Sequence, residues 1–191
     1  SGLSALRQAV TFFPNNVEAR VVSKRMINEF SSIYTDGTAD SMTPLTALSM
    51  YDQFRELTPV GRRGDRIIQR LADRLVEVDL LDRASVLLDR QVKFRLRGKQ
   101  KAIVGSKLAL IRLLDRQPKM ALDALNESVS PGLDSGLALE RKRLRSRSVF
   151  ELGDSESALK LIRNDESRKA DLLRADIYWR TQDWERSALI Y

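Results

Sequence analysis

The sequence predicts an all-α protein built as a stack of antiparallel helical hairpins, an α-solenoid. One observation is the segment 102–114, which is apolar on nearly every face of a helix and therefore has to be buried on several sides. Another is an internal repeat, because Ala84, Ala121 and Ala158 follow one another at a spacing of 37 residues. A fixed period of roughly 20 to 50 residues is typical of stacked structural repeats.

Two further positions recur in each repeat. Ala84, Ala121 and Ala158 are the marker alanines. An aliphatic residue lies four positions after each of them, and a small residue lies twelve positions before. These positions are Leu88, Leu125 and Ile162 for the first set, and Ala72, Ala109 and Ser146 for the second. Small residues let the two helices of a hairpin approach closely, and the aliphatic residue fills the space between hairpins. A fourth unit is predicted with Ala188 as its marker, which places Asp176 at the small-residue position.

The first sixty residues are expected to form a helical cap region. A proline at position 14 ends a short helix over 3–13, because the residue before a proline disfavours the helical conformation. The apolar pattern over 17–34 predicts a second helix. Thr43-Pro44, a capping residue followed by proline, predicts the start of a third helix over 45–57.

The stretch 58–65 contains one Pro and two Gly and marks the strongest internal boundary, with Asp65 as the expected cap of the following helix. We therefore expect a cap region over 1–60 and repeats over 61–191. The repeats are placed at about 65–98, 99–130, 137–166 and 169–191. The last unit is cut short after Tyr191, which predicts a longer protein and self-association of this chain through its open apolar end.

Composition excludes several classes of function. The 191 residues contain no Cys and no His, so thiol chemistry, disulfides and the commonest metal ligand and general base are missing. No apolar stretch approaches the length of a membrane span. We expect neither an enzyme nor a cofactor or metal site. The net charge of +7 favours acidic partners or nucleic acid, although most arginines are spaced for ion pairs along helices.

The small residue, turn, alanine and aliphatic pattern resembles the tetratricopeptide repeat over about 64–191. That resemblance implies a right-handed superhelix whose first helices line a concave groove. The period here is longer than the 34 residues of the family, and Arg112 stands where an aliphatic residue is usual. The stretch 54–62, together with Arg74-Leu75 and 79–81, also resembles a segment of large uncharacterised bacterial proteins with helical repeats.

The resemblance to the tetratricopeptide repeat implies the residues that bind a partner. Its groove positions lie eighteen, fifteen, eleven and eight residues before each marker alanine. The predicted partner-binding residues are Arg66, Ile103, Leu110, Leu113, Arg143, Arg147, Phe150, Ile177 and Arg180. For the aliphatic members, burial in the core is an equally good explanation of the same pattern.

The predicted function is a non-enzymatic scaffold that binds a protein segment with acidic residues, either an amphipathic helix or an extended peptide. The alternative is a nucleic-acid-binding repeat protein, because 141–147 is the densest basic run in the chain. That run has no interleaved aromatic residues, which disfavours binding of single strands by stacking.

Overall fold

The computed structural model describes the backbone from Val17 to Ile190 and the side chains from Val21 to Ile190. This part of the chain is all-α, with no residue in a β-strand. Ten α-helices follow one another: α1 (Val17–Thr35), α2 (Pro44–Gln53), α3 (Arg62–Glu77), α4 (Leu81–Phe94), α5 (Gly98–Leu114), α6 (Pro118–Glu127), α7 (Ser135–Glu151), α8 (Ser155–Ile162), α9 (Arg168–Arg180) and α10 (Trp184–Ala188). The chain divides into two compact units, Ser1–Leu80 and Leu81–Tyr191.

The first unit is centred on the contact of α1 and α2 with α3. Phe30, Tyr34 and Tyr51 form an aromatic cluster with ring centroids 5.1 to 6.3 Å apart. The hydroxyl of Tyr34 donates a hydrogen bond to the Ala47 carbonyl oxygen at 2.9 Å. Burial, followed by the neighbouring Tyr51, raises the pKa of Tyr34 well above its ordinary value, so this phenol stays protonated.

Predicted helix boundaries in the first unit are partly confirmed. Thr43 caps α2 by accepting a hydrogen bond from the Thr46 amide, and Pro44 is the first helical residue. The third helix predicted over 45–57 ends at Gln53, and a separate 3₁₀ turn covers Arg55–Leu57. The helix predicted over 3–13 lies outside the described residues.

The expected cap at Asp65 is wrong. Helix α3 begins at Arg62 after Gly61, whose φ of 82° lies in the left-handed region that favours glycine. Asp65 is instead an acidic residue in the first turn, where the helix dipole favours a negative charge.

The second unit is a run of helices that pack on their neighbours in sequence. Every extensive contact among its described helices joins helices one or two positions apart along the chain. Thus α5 packs on α4, α6 and α7, and α7 packs on α6, α8 and α9. Each described helix of this unit therefore packs mainly on helices that are close to it in the sequence.

The repeat register read from the sequence is confirmed by burial at all nine predicted positions of the first three units. The marker alanines, the aliphatic residues after them and the small residues before them are each at most 1% exposed. Within the α7–α8 hairpin, the Ser146 hydroxyl donates a hydrogen bond to the Ala158 carbonyl oxygen at 2.7 Å. The small residue and the marker alanine of this unit are therefore in direct contact.

The turns before the marker alanines share one geometry. Asp79, Arg116, Gly153 and Gln182 all have positive φ, and each follows the C-terminus of a helix by two residues. In each turn, the amide after this residue bonds the carbonyl five positions earlier, at 2.8 to 3.2 Å. This is the Schellman motif, which satisfies the last carbonyls of a helix and directs the chain into the next one.

The fourth unit was predicted one residue out of register. Its left-handed turn residue is Gln182, and five residues later comes Ser187 rather than Ala188. Ser187 is 2% exposed, and its hydroxyl donates to the Ala175 carbonyl oxygen at 3.2 Å, as Ser146 does to Ala158. Ala188 is exposed, and Ala175 rather than Asp176 is the buried small residue. Ser187 and Ala188 are both small and adjacent in the sequence, so residue size alone does not show which of them is buried.

Candidate partner-binding surface

Helix α5 carries an exposed apolar stripe. Ile103, Leu110 and Leu114 are 37%, 46% and 57% exposed, and Leu113 is half-buried beside them. Their spacing of seven and four residues places Ile103, Leu110 and Leu114 on one face of the helix. The alternative, that Ile103 and Leu110 belong to the core, is therefore wrong, because the core side of α5 is formed by other residues such as Ala102, Leu108 and Ala109.

A close backbone approach fixes the buried side of α5. Gly105 lies against Ser128, the residue that follows α6, and a Cβ added at Gly105 would stand 2.0 Å from the Ser128 hydroxyl oxygen. No side chain larger than hydrogen fits there. This contact holds α5 against the end of α6 and leaves the apolar stripe on the outside.

Helices α7 and α9 are joined by exposed ion pairs. The Arg147 guanidinium lies 3.1 Å from Asp176 and 3.0 Å from Glu151. Glu151 also accepts two hydrogen bonds from Arg180, at 2.7 and 3.1 Å. The hydrogen bond from Arg180, followed by that from Arg147, lowers the pKa of the Glu151 carboxyl. Two arginines and two carboxylates therefore neutralise one another on this surface.

These ion pairs join equivalent positions of neighbouring repeats. Arg147 and Asp176 both lie eleven residues before the buried residue of their unit, Ala158 and Ser187 respectively. Glu151 and Arg180 both lie seven residues before it. The corresponding residues of α5 are Leu110 and Leu114. The same two repeat positions are therefore occupied by apolar residues on α5 and by ion-paired residues on α7 and α9.

The corrected register changes which residues of α9 occupy groove positions. Ile177 is fully buried in a core cluster with Ala158 and Ile162, so it is not available to a partner, and its assignment is wrong. Counted from Ser187, two of the four positions that the resemblance assigns to a groove are occupied by Leu172, 45% exposed, and Trp179, 61% exposed. Sequence reasoning missed both residues because its register was displaced by one.

Two other predicted contacts are also internal. Phe150 is 8% exposed, belongs to the same core cluster and is covered by the Arg180 guanidinium, 4.5 Å from its ring centroid. Arg143 is largely buried and bonds Asp165 at 2.7 Å. Burial would raise the pKa of Asp165, but hydrogen bonds from Ser167 and from Arg143 outweigh it and lower that pKa. Arg143 and Phe150 therefore hold the fold together.

Sequence reasoning also missed Arg141 as a structural residue. Its guanidinium donates hydrogen bonds to the carbonyl oxygens of Ala102 and Leu125 and to the hydroxyls of Ser106 and Ser128. Burial lowers the pKa of Arg141, and no carboxylate is among these acceptors. Arg174 makes an equivalent contact one repeat later, because it donates a hydrogen bond to the carbonyl oxygen of Ile162. Ile162 follows Ala158 by four residues, just as Leu125 follows Ala121 by four residues. Nothing in the basic run 141–147 distinguishes such an arginine from an exposed one.

Arg66 lies in the first unit, beside a cavity of about 600 Å³. The cavity is lined by the C-terminal end of α1 and by one face of α3. Its lining residues are Tyr34, Thr35, Arg63, Arg66, Gln69, Arg70 and Asp73. Arg66 and Arg63 are exposed, whereas Arg70 pairs with Asp40.

From Val17 to Ile190, no helix combines the length and apolarity that crossing a membrane requires. In the same part of the chain, acidic side chains are nowhere grouped in threes in a way that could hold a metal ion.

Comparison with protein-family models, with curated protein sequences and with solved structures finds no match to this chain. Functional inference therefore rests on the residues and their geometry.

Proposed function

We propose that this chain is a non-enzymatic scaffold of the tetratricopeptide-repeat kind, a right-handed solenoid that binds a helical segment of a partner protein. The observation that carries the proposal is the exposure of apolar side chains at the expected groove positions of two repeats, and at Leu114 directly beside one of them. Ile103, Leu110 and Leu114 on α5, with Leu172 and Trp179 on α9, are between 37% and 61% exposed. We call these five residues the apolar anchors. The Trp179 ring also packs edge-to-face on Trp184, with the ring centroids 4.7 Å apart.

The apolar anchors suit an amphipathic partner. Burial of leucine and tryptophan side chains supplies affinity, and tryptophan is the residue most enriched among the energetic centres of interfaces. An amphipathic helix presents apolar residues at spacings of three, four and seven, as the α5 stripe does.

The ion pairs between α7 and α9 favour a partner without a large net charge. Arg147 and Arg180 already contact carboxylates, so an acidic partner would have to displace Glu151 or Asp176. The acidic preference inferred from the sequence therefore gains no support at this surface. The same pairing, and the burial of Arg141 and Arg143, also disfavours nucleic-acid binding through the basic run 141–147.

The experiment is quantitative affinity enrichment from cells with the tagged chain and two matched double variants. Leu110→Ser with Leu114→Ser removes two apolar anchors, whereas Val86→Ser with Val129→Ser removes two valines, 50% and 69% exposed, that lie outside the groove positions. We expect the leucine pair to lose a protein that the wild type and the valine pair both retain. Equal retention by both variants would contradict the proposal, as would recovery of nucleic acid as the main bound component.

A further inference from the structure

The cavity of the first unit differs from the surface described above, because its charge is only partly neutralised. Three of the described residues that line it are arginines and one is an acid. Arg70 pairs with Asp40, so that the site keeps an excess of one positive charge when this carboxylate is counted. Within the part of the chain that the structure describes, Arg63 and Arg66 have no ion-pair partner.

The two unpaired arginines face one cavity because of their spacing. Arg63, Arg66 and Arg70 follow at intervals of three and four residues and so occupy one face of α3 over two turns. Positive charge near the start of a helix is opposed by the helix dipole, so Arg63 and Arg66 do not stabilise α3 itself.

The other wall of the cavity is formed by Tyr34 and Thr35 at the C-terminal end of α1. Tyr34 is 4% exposed, its hydroxyl is bound to Ala47, and its ring is packed against Phe30. Thr35 directs its hydroxyl to the Ser31 carbonyl oxygen at 3.0 Å. A volume of about 600 Å³ lies within the range of sites that enclose small ligands or a few residues of a peptide.

We propose that this cavity binds an acidic peptide segment through Arg63 and Arg66. Guanidinium groups bind carboxylates bidentately, and the preformed wall at Tyr34 spares part of the entropic cost of ordering the site. Gln69 supplies a neutral donor and acceptor between the charges. This site does not depend on the apolar anchors, because all of its lining residues belong to the first unit.

The experiment measures fluorescence anisotropy of a labelled octaglutamate peptide titrated with the full chain. The wild type is compared with Arg63→Gln/Arg66→Gln and with Arg163→Gln/Arg168→Gln, which removes the same charge at two exposed arginines of the second unit. We expect the cavity variant to weaken binding about tenfold and the control variant to weaken it less than twofold. Circular dichroism of both variants checks that the helices remain intact.

Three results would overturn this inference. Equal weakening by the two variants would show that only net charge matters. Absence of binding by the wild type at millimolar peptide would show that there is no such site. A labelled octathymidine strand that binds more tightly than octaglutamate and depends on the same two arginines would assign the cavity to nucleic acid. Octaglutamate has no apolar side chain, so none of these results bears on the apolar anchors.

Discussion

Helices α5 and α7 present equivalent repeat positions to the outside, yet their side chains act differently. Leu110 and Leu114 on α5 are about half exposed and end in solvent. Arg147 and Glu151, which occupy the same two repeat positions on α7, are bound to each other and to residues of α9. The position of a residue in the repeat therefore does not decide whether its side chain is available to a partner, because that depends on the side chains around it.

The same contrast separates arginines that are close in sequence. Arg141 and Arg143 are bound to acceptors between 13 and 39 residues away, whereas Arg145 is bound only to the Asn126 side chain among the described residues. A run of basic residues thus combines arginines bound inside the fold with arginines at the surface.

Substitution at the contact between Gly105 and Ser128 should have the largest effect on stability. Gly105→Ala should lower the free energy of unfolding by about 3 kcal/mol, because its Cβ would overlap both Ser128 side-chain atoms. Adding Ser128→Gly should recover part of this loss. Gly136→Ala, at an exposed helical glycine whose added Cβ meets nothing closer than 3.4 Å, is the control and should change stability little. Urea denaturation measures all four proteins, and equal losses at the two glycines would show that α5 and α6 are not packed as described.

Substitution of Arg141 should lower the free energy of unfolding far more than substitution of Arg145. Arg141→Gln should cost about 2 to 3 kcal/mol, since it leaves buried carbonyl and hydroxyl acceptors without their charged donor. Arg145→Gln should cost less than about 0.5 kcal/mol, as is usual for one exposed polar contact. If thermal unfolding shifts both variants equally, the distinction between internal and surface arginines is wrong.

The Arg143–Asp165 pair should make stability dependent on pH. Because the pKa of Asp165 is lowered in the folded chain, its contribution is present above its unfolded pKa of about 4 and is lost as pH falls through the folded value. Arg143→Gln should therefore cost about 2 kcal/mol at pH 7. That difference from the wild type should shrink in unfolding experiments below pH 4, and a difference that grew toward acid pH would contradict the assignment.

The register of the last repeat can be tested by adding volume at adjacent positions. Ser187→Leu should destabilise by about 1 to 2 kcal/mol, because it overpacks a buried contact with Ala175. Ala188→Leu should have almost no effect, since Ala188 is exposed. A larger fall in melting temperature for Ala188→Leu than for Ser187→Leu would instead support the register predicted from the sequence.

The core of the first three repeats was predictable because small residues at helix contacts leave a periodic trace in the sequence. Ala84, Ala121 and Ala158 sufficed to find the buried positions around them. The structural roles of Arg141 and Arg174 were not predictable, because their acceptors include backbone carbonyls, which every residue carries. Gly105 was not singled out either, since a glycine inside a helix does not indicate which segment approaches it. The predicted division at residue 60 and the self-association through the C-terminal end stay predictions.

The central claim is that the apolar anchors of α5 and α9 bind one partner together. Site-specific photocrosslinking in cells tests it most directly, with a photoreactive residue placed in turn at positions 110, 179 and 129. Leu110 and Trp179 are anchors, whereas Val129 is an exposed apolar residue outside the groove positions. We predict that positions 110 and 179 capture the same protein and that position 129 does not. Capture of that protein from position 129 as well, or of unrelated proteins from 110 and 179, would contradict the account.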